Sequence, residues 1–420
     1  MNLTKKILAR ASGQETVEAG DFIEARVDRV MIHDLTGPLA LDAFSKLKDQ
    51  RVWDVNRVVV IFDHNVPANT TQSSSLQKRL RRFVEDYNIV NFYDVGRGGI
   101  CHQVMPEKGY VAPGEVIVGA DSHTCTYGAF GAFATGVGST DVAAAMATGR
   151  LWFKVPETLK VTVTGRFKRY VFPKDLILSI VGTIGEDGAN YKGIEFTGPT
   201  IRDMSVDGRM TLSNMVVEVG AKTGIIEPDD KTLEYLEGRL SGPINSVSSD
   251  PGAYYEEELN FSVEDLEPQV ACPHSVANVK LVKDVEGVRI DQAFIGSCTN
   301  GRLDDLRVAA NILKGRRVKA GVRMIVIPAS QDIYKETVRE GLAEIFVEAG
   351  AYFGGPTCGP CMGSHLGILA DGEVCISSTN RNFLGRMGNP KAEVYLASPA
   401  TVAASALKGC ITSPKEVMGE

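Results

Sequence analysis

Two cysteines near the C-terminal end of the sequence are the residues with the clearest chemistry. Cys358 and Cys361 enclose a Gly-Pro pair within the run GGPTCGPCMG at 354–363. So much Gly and Pro excludes a helix or strand interior, so both thiols lie on a loop of defined shape. Such a loop suits a disulfide pair, half of a zinc site or part of an iron–sulfur cluster. Taken alone, Cys-Gly-Pro-Cys favours a thioredoxin-type redox site.

A third cysteine, Cys298, changes this balance. It follows the apolar run Ala293–Ile295 in the sequence GSCTN at 296–300, and a helical pattern with Leu306 and Leu313 on one face comes next. The pattern predicts a strand–loop–helix unit with Cys298 at the end of the strand. Three thiolates are one fewer than the four of a closed site, which leaves one metal position open, as catalysis requires. By itself, Cys298 would more often be a small buried hydrophobe.

Pairs of acidic residues and histidines follow other strand-like runs. Asp63 and His64 come directly after Val58 to Phe62, and Asp121 and His123 come after Val116 to Ala120. Ligands of open α/β sheets bind at this edge, where an Asp can orient an imidazole or set its charge. Ordinary turns also use Asp and Asn, so each pair alone has a structural alternative. His33 and His102 fall in similar turns.

Other polar residues have weaker signals. Asn214 and Glu218 lie in a helical, largely apolar window, so Glu218 is either partly buried with a partner or exposed. Arg381 and Arg386 flank a loop after Val374 to Ser377. Two planar guanidinium groups on one loop suit a di- or tricarboxylate, although a single loop Arg is more often solvated.

The elements that would position these residues alternate between strand-like and helix-like patterns, which predicts mostly parallel sheets covered by helices. We expect three α/β domains, at 1–165, 166–286 and 287–420, the last carrying the cysteines. A polar loop is expected from Ser241 to Gly252. The main predicted segments are Val58 to Phe62, Leu76 to Tyr87, Ile89 to Val95, Val116 to Ala120, Thr140 to Trp152, a helix opened by Pro173, Asp207 to Ala221, Ile290 to Ile295, Arg302 to Leu313, Val322 to Ile327, Gln331 to Ala349, Val374 to Ser377 and a terminal helix opened by Ser398.

Composition limits the function classes. The chain has 420 residues, 44% hydrophobic and 23% charged, with a net charge of -7 and eight cysteines. These values indicate a globular protein in a reducing compartment, and we expect the cytoplasm. A membrane span and a signal peptide are not expected. The basic cluster at 78–82 alternates with apolar residues at helical spacing, so it predicts a solvated helix face and no nucleic-acid site.

Taken together, GSCTN, the CGPC loop sixty residues later, the IHD motif at 32–34 and STNRNFLGR at 378–386 resemble the aconitase superfamily. More specifically, the chain resembles the large subunits of isopropylmalate dehydratases and homoaconitases over essentially its whole length. The resemblance implies three α/β/α domains around an iron–sulfur cleft, with the family's swivelling fourth domain absent from this chain. It implies one [4Fe–4S] cluster per subunit, held by Cys298, Cys358 and Cys361.

The resemblance also implies roles for the other candidate residues. His64, paired with Asp63, would protonate the departing hydroxyl of a hydroxy-acid substrate. The carboxylates of that substrate would be held by Arg381 and Arg386, with a further contact from His33. By the same resemblance, the water bound to the cluster would be ordered by His102, Asp121, His123 and Glu218, and two asparagines would lie near the cluster, Asn214 and Asn380.

The family's proton-abstracting Ser lies in the swivelling domain, so the resemblance implies a small partner subunit that carries it. The implied activity is isomerisation of 2- and 3-isopropylmalate in leucine biosynthesis by dehydration and rehydration. Homocitrate and homoaconitate rank second, and methylmalate-type acids third. Two other classes stay open: a thiol oxidoreductase that uses only Cys358 and Cys361, and an RNA-binding protein, against which the acidic balance argues.

The cysteine assignment gives the first prediction. Replacing Cys298, Cys358 or Cys361 by Ser should abolish the brown colour of protein purified without oxygen, because each removes a thiolate ligand. The same replacement at Cys125, Cys272 or Cys410 should leave the colour and the iron content unchanged. Full cluster content in Cys298→Ser, measured by iron and sulfide analysis, would contradict the assignment.

Overall fold

The computed structural model describes residues 1–240, 242, 244 and 246–419, which divide into two compact units. The first unit comprises Met1–Thr164 with Asp187–Phe261, and the second comprises Gly165–Glu186 with the residues from Ser262 onward. The division into three domains at 165/166 and 286/287 stays a prediction.

Strands and helices alternate along most of the chain, as the sequence patterns predict. The strands are β1 Phe22–Arg26, β2 Arg29–His33, β3 Val58–Ile61, β4 Asn91–Tyr93, β5 Val116–Gly119, β6 Phe133–Gly136, β7 Arg150–Lys154, β8 Thr158–Thr164, β9 Gly193–Thr197, β10 Thr223–Ile226, β11 Glu257–Ser262, β12 Gln269–Ala271, β13 Val279–Leu281, β14 Gln292–Ile295, β15 Arg323–Val326, β16 Tyr352–Phe353, β17 Val374–Ser377 and β18 Glu393–Ala397.

The helices fall mainly between these strands. They are α1 Leu3–Ser12, α2 Gly37–Phe44, α3 Thr71–Tyr87, α4 Cys101–Glu107, α5 Ser139–Thr148, α6 Pro173–Ile184, α7 Pro199–Asp203, α8 Val206–Met215, α9 Asp230–Leu236, α10 Ser297–Asn300, α11 Leu303–Leu313, α12 Gln331–Arg339, α13 Leu342–Glu348, α14 Pro399–Lys408 and α15 Pro414–Met418. Short 3₁₀ helices span Ser122–Phe130, Val216–Val219, Val282–Asp284 and Gly359–Met362.

The first unit contains a parallel sheet in the order β4-β3-β2-β5-β6. Its strands are nearly continuous apolar runs; the four residues of β3, for example, are all buried. Such runs are typical of parallel strands covered on both faces. His33 pairs with Ile61, and Met31 pairs with Gly119, so β2, β3 and β5 end at the same edge. The loops that carry the predicted acidic residues and histidines are thereby brought together.

The second unit contains a mixed sheet in the order β13-β12-β18-β17-β14-β15-β16. At its centre, β14 pairs in parallel with β15 and β17, and Phe294 lies opposite Ser377. The short helix α10 after β14 carries Cys298, and the loop after β17 carries Asn380 and Arg381. The register of these strands therefore places these two segments side by side.

Several predicted helices end earlier than expected, and glycine explains two of the differences. The helix predicted for 140–152 ends at Thr148, because Gly149 adopts a left-handed conformation, and 150–154 form β7. The helix predicted for 331–349 is interrupted at Gly341, also left-handed. Gly at a helix end takes this conformation without steric cost. The helix predicted for 207–221 ends at Met215, so Glu218 lies in a 3₁₀ turn.

Two further expectations concern the polar loop from Ser241 to Gly252 and the question of a membrane-spanning helix. Ser241, Pro243 and Asn245 of the expected polar loop lie outside the described residues, whereas 246–250 form neither helix nor strand. In the part of the chain that the structure describes, none of the helices is long and apolar enough to cross a membrane.

Candidate active site

The first unit pairs Asp63 and His64 as the sequence predicts. His64 Nδ1 lies 2.6 Å from Asp63 Oδ1, and the other Asp63 oxygen accepts a hydrogen bond from the Cys101 N–H at 2.8 Å. Burial alone would raise the pKa of Asp63, but the neighbouring His64 and His33 and the Cys101 N–H together lower that pKa below its ordinary value. Asp63 is therefore a carboxylate, and His64 donates to it through Nδ1.

Asp34, which sequence reasoning missed, fixes the turn that carries this pair. Its carboxylate accepts hydrogen bonds from the N–H groups of Asp63 at 3.0 Å, His64 at 2.9 Å and Asn65 at 2.9 Å. The position of Asp34 beside His33, directly after β2, was the available signal. Asp34 orients the 63–65 turn because one carboxylate holds three consecutive backbone donors.

Asp121 is the centre of the polar group in the first unit. One of its oxygens accepts from His102 Nε2 at 2.9 Å and from the His123 N–H at 2.7 Å. The other oxygen lies 3.4 Å from His33 Nε2 and 3.9 Å from His64 Nε2. Burial raises the pKa of Asp121, but the surrounding histidines lower it well below its ordinary range. Four of the predicted residues thus converge on one half-buried carboxylate.

His33 lies directly beneath His64. The two rings stack with centroids 4.1 Å apart and an interplanar angle of 14°. The His33 Nδ1 accepts from the Leu35 N–H at 3.3 Å, so in a neutral ring the proton is on Nε2, which faces Asp121. His33 is fully buried, and its stacked ring restricts the orientation of His64. The predicted contact between His33 and substrate stays a prediction.

His102 is held as a neutral imidazole. Its Nε2 donates to Asp121, so its Nδ1 accepts from the Tyr127 hydroxyl at 3.0 Å. Burial lowers the pKa of His102, and the charge of Asp121 only partly opposes this effect. Tyr127, inside the apolar core of this unit, was also missed, because an aromatic residue in such a segment normally indicates packing alone.

Glu218 is buried and has a matched partner, which resolves the alternatives left by the sequence. Its Oε1 lies 2.9 Å from His123 Nε2. The nearby Asn214 donates to Thr126 Oγ1 at 2.8 Å, and Thr126 in turn donates to the His123 carbonyl at 2.6 Å. Glu218, His123 and Asp121 consequently form a continuous polar chain.

Four residues of this unit have ligand atoms within 4.8 Å of one another: His33, Asp34, Asp63 and His64. Their donor atoms are already used in hydrogen bonds. Asp34 holds the 63–65 turn, and Asp63 binds His64 and the Cys101 N–H. A metal ion here would have to replace these contacts, so the arrangement is a hydrogen-bond network that orients His64.

The second unit buries the three predicted cysteine ligands. Cys298 lies in α10 directly after β14, and Cys358 and Cys361 lie at the start and the middle of the 3₁₀ turn Gly359–Met362. The Cys361 N–H donates to the Cys358 carbonyl at 3.2 Å, so the CGPC segment forms a tight turn. Gly359 and Gly363 both have positive φ, at 57° and 75°, and this explains why glycine occupies these positions.

Asn380 connects the two cysteine segments. Its Nδ2 donates to Cys298 Sγ at 3.5 Å and to Thr299 Oγ1 at 2.9 Å, and its Oδ1 lies 3.9 Å from Cys361 Sγ. Arg386 places a guanidinium nitrogen 3.5 Å from Cys361 Sγ. Arg381 has its guanidinium carbon 6.0 Å from the Phe383 ring centroid. The structure thus brings Asn380 and Arg386 to the thiols.

Two fully buried cations near Cys298 were not predicted. Arg302 donates to the carbonyls of Cys298 at 2.5 Å and Thr299 at 2.6 Å. Lys174, at the start of α6, donates to Asn300, Ser378 and Thr379. Burial lowers the pKa of Lys174 to about 7. The negative charges of Asp305 and Asp175, and those of Cys361 and Cys298, raise this pKa but do not offset the effect of burial. Lys174 precedes Leu178 and Val181 by four and seven residues, and this helical spacing placed it on the buried face.

The lowered pKa of His102 predicts a pH dependence of stability. A histidine in the unfolded chain has a pKa of about 6.5. Below that pH the unfolded chain binds a proton at this position, whereas native His102 binds it only at lower pH, because its pKa is lowered. The wild-type chain therefore loses stability as the pH falls below about 6.5, whereas above it this loss is absent. In His102→Gln, the slope of the unfolding free energy against pH should decrease by at most about 1.4 kcal/mol per pH unit.

Denaturant unfolding at a series of pH values measures this slope, and His274→Gln is the matched control because His274 is exposed. The control should keep the wild-type slope. A slope for His102→Gln equal to that of the wild type would show that native His102 takes up its proton normally.

Comparison with known proteins identifies the family. The family model described as Aconitase family (aconitate hydratase) matches residues 5–286 and 278–409. The "Probable 3-isopropylmalate dehydratase large subunit" of Methanothermobacter thermautotrophicus is 57% identical over 99% of both chains. The "Probable methanogen homoaconitase large subunit" of the same organism is 53% identical over 100% of this chain and 99% of the relative. The 3-isopropylmalate dehydratase large subunit of Halothermothrix orenii is 52% identical over 100% of both.

Among solved structures, the holo-form of Thermococcus kodakaraensis aconitase X gives a TM-score of 0.47 at 14% identity, covering 90% of this chain and 89% of that one. That likeness is too distant to bear on function. The family model covers most of the chain, and relatives over half identical match it from end to end. The chain belongs to the aconitase family.

Proposed function

We propose that the chain is the large, cluster-binding subunit of a 3-isopropylmalate dehydratase, a hydro-lyase that interconverts 2- and 3-isopropylmalate in leucine biosynthesis. The observation that carries this proposal is that Asn380 contacts the buried thiols of both Cys298 and Cys361, with Cys358 buried in the same tight turn as Cys361, in a family member whose full-length relatives include several with that name. The histidine–carboxylate group centred on Asp121 includes His64, the proposed acid of such a reaction, whereas the base would come from a partner subunit.

Cys298, Cys358 and Cys361 would hold one [4Fe–4S] cluster per chain. The three sulfur donors are buried, and the N–H groups of Asn380 and Arg386 point at two of them. Hydrogen bonds to ligand sulfur are a regular feature of such sites. When bound, the cluster would act as a Lewis acid towards substrate oxygen atoms without net redox change.

His64 is the proposed acid of the reaction. Dehydration breaks a C–O bond and an adjacent C–H bond, and the electron pair of the C–H bond becomes the second bond of an alkene. The hydroxyl leaves as water if it accepts a proton, which His64 would donate through Nε2 while Nδ1 stays bonded to Asp63. Rehydration on the neighbouring carbon reverses these transfers. Stacking on His33 keeps the His64 ring in one orientation.

The remaining polar residues of the first unit would order the released water. Asp121 has the lowered pKa of a permanent acceptor, and His102, held neutral, donates to it. His123 links this carboxylate to Glu218. A network with fixed donors and acceptors would hold a water molecule in one orientation near the reacting carbons.

Arg381 and Arg386 are the proposed contacts for the substrate's carboxylates, because planar guanidinium groups form paired hydrogen bonds with carboxylates. The base that removes the C–H proton would come from a small partner subunit that carries the family's swivelling domain and its serine. The names of the relatives, which are all large subunits, support such a partner.

Homoaconitase is the second candidate. A relative with that name is 53% identical over the whole chain, close to the identities of the dehydratase subunits. Methylmalate-type acids rank third. The thiol oxidoreductase alternative requires only Cys358 and Cys361, and it leaves the contacts of Asn380 with Cys298 without a role.

The function is tested by mixing the anaerobically purified chain with the small subunit of a 3-isopropylmalate dehydratase and following product formation. We expect isomerisation of 2-isopropylmalate at a higher kcat/KM than homocitrate, and no turnover by either subunit alone. A preference for homocitrate with the small subunits of both enzyme types would favour the homoaconitase assignment. Full turnover by the isolated chain would contradict the two-subunit proposal.

Removing the proposed acid gives a second test of this mechanism. His64→Ala should lower turnover by about two to four powers of ten, the usual contribution of a positioned proton donor, while cluster content stays unchanged. Asp63→Ala should have an effect in the same direction because it removes the partner that orients His64. The control is His274→Ala, which alters an exposed histidine. Near-normal turnover of His64→Ala in the presence of the small subunit would assign this turn a structural role.

A further inference from the structure

Lys174 is a fully buried lysine with an unusual set of contacts. Its Nζ lies 2.8 Å from the Ser378 carbonyl oxygen, 2.5 Å from the Thr379 carbonyl oxygen and 3.4 Å from Asn300 Oδ1. An ammonium group has three N–H donors and no acceptor, and all three acceptors here are oxygen atoms. Burial lowers the pKa of Lys174 to about 7, but three oxygen acceptors match the three donors of an ammonium group, so the geometry favours the charged form.

These contacts join the two loops that position the cysteine ligands. Asn300 lies two residues after Cys298, and its own Nδ2 donates to Asp305 at 2.9 Å. Ser378 and Thr379 directly precede Asn380, which contacts both Cys298 and Cys361. Movement of Lys174 would consequently displace both segments that surround the thiols.

Its position also has an electrostatic consequence. A lysine is almost never fully buried without compensating groups, since removing an ammonium group from water is costly. The nearby negative charges are the carboxylate of Asp305, together with Cys298 and Cys361 when these are thiolates, and Asp175 when it is ionised, since burial raises the pKa of Asp175 to about 7. Asp175 itself accepts from the backbone N–H groups of Phe172 and Gln269. A cluster held by thiolates would therefore gain attraction from Lys174.

We propose that Lys174 is a positioning residue for the iron–sulfur cluster: its ammonium group fixes the Cys298 turn against the Ser378–Asn380 turn and supplies positive charge beside the thiolate ligands. This inference rests on the proposed cluster. Lys174 is inaccessible to substrate, so it acts through the ligands and makes no contact with reacting atoms. Two effects should follow, in comparison with a chain that lacks this charge. The cluster should be lost more slowly, because the ligand segments are held in place. Its reduction potential should be higher, because positive charge stabilises the more negative, reduced form.

The proposal is tested with Lys174→Met, which removes both the charge and the donors, and Lys174→Gln, which keeps N–H donors without the charge. Each is purified without oxygen, and its folding is checked by circular dichroism. Cluster loss to an iron chelator is followed by visible absorption, and the reduction potential by a dye-mediated titration. Lys168→Met is the matched control, since Lys168 lies six residues away in the same unit and is exposed.

We expect Lys174→Met to lose its cluster about 10- to 100-fold faster than the wild type, the usual effect of removing a group that orients metal ligands. Its potential should shift to a more negative value. Lys174→Gln should show the same shift in potential with a smaller change in the rate of loss. Lys168→Met should behave as the wild type in both measurements.

Wild-type rates and potentials in a folded Lys174→Met would overturn the proposal. Failure of both Lys174 variants to fold would also overturn it, because the ammonium group would then be required by the fold itself and not by the cluster. A wild-type chain that cannot bind a cluster is a different outcome, since it refutes the proposed function on which this inference rests.

Discussion

Every buried charge in this protein has to be matched by neighbouring donors or acceptors, and the candidate site follows from this constraint. The half-buried Asp121 is stabilised as a carboxylate by His102, His33 and the His123 N–H, which surround it. The same need places Lys174 among three oxygen atoms in the second unit. Removing one partner would leave an uncompensated charge, and each group is therefore held in a single arrangement.

The parallel sheets bring these groups together. In the first unit, β2, β3 and β5 end at one edge, and the loops that follow carry Asp34, the Asp63–His64 pair and Asp121. In the second unit, β14 and β17 are neighbours, so the turns of Cys298 and Asn380 touch. Residues far apart in sequence become adjacent because the carboxyl ends of parallel strands share an edge. Because these polar residues lie after the ends of the strands, the strands themselves are apolar and form the core.

Much of the candidate site could be predicted from the types of residue at the ends of strands. Cys298, the Asp63–His64 pair and Asp121 were identifiable because they follow apolar runs closely, and Cys358 and Cys361 were identifiable because they lie in a loop rich in Gly and Pro. The partners of these residues were less predictable. Glu218 was left undecided, since its contact with His123 joins positions 95 residues apart. Tyr127 resembled an ordinary core aromatic residue.

Helix ends and buried cations escaped prediction for a different physical reason. Helical patterns continue through Gly149 and Gly341, and only the left-handed conformation of these residues ends the helices there. Arg302 lies at a loop–helix junction where Arg is normally solvated, but here the carbonyls of Cys298 and Thr299 replace water. Such replacement depends on tertiary contacts, which a local pattern does not contain.

The central claim is that three cysteines hold an iron–sulfur cluster with one iron available for substrate. The most direct measurement is the visible absorption spectrum of the chain purified without oxygen, combined with iron and sulfide analysis. The account predicts a brown protein with about four irons and four sulfides per chain, and colour that fades in air. A colourless, metal-free chain with a disulfide between Cys358 and Cys361 would contradict it.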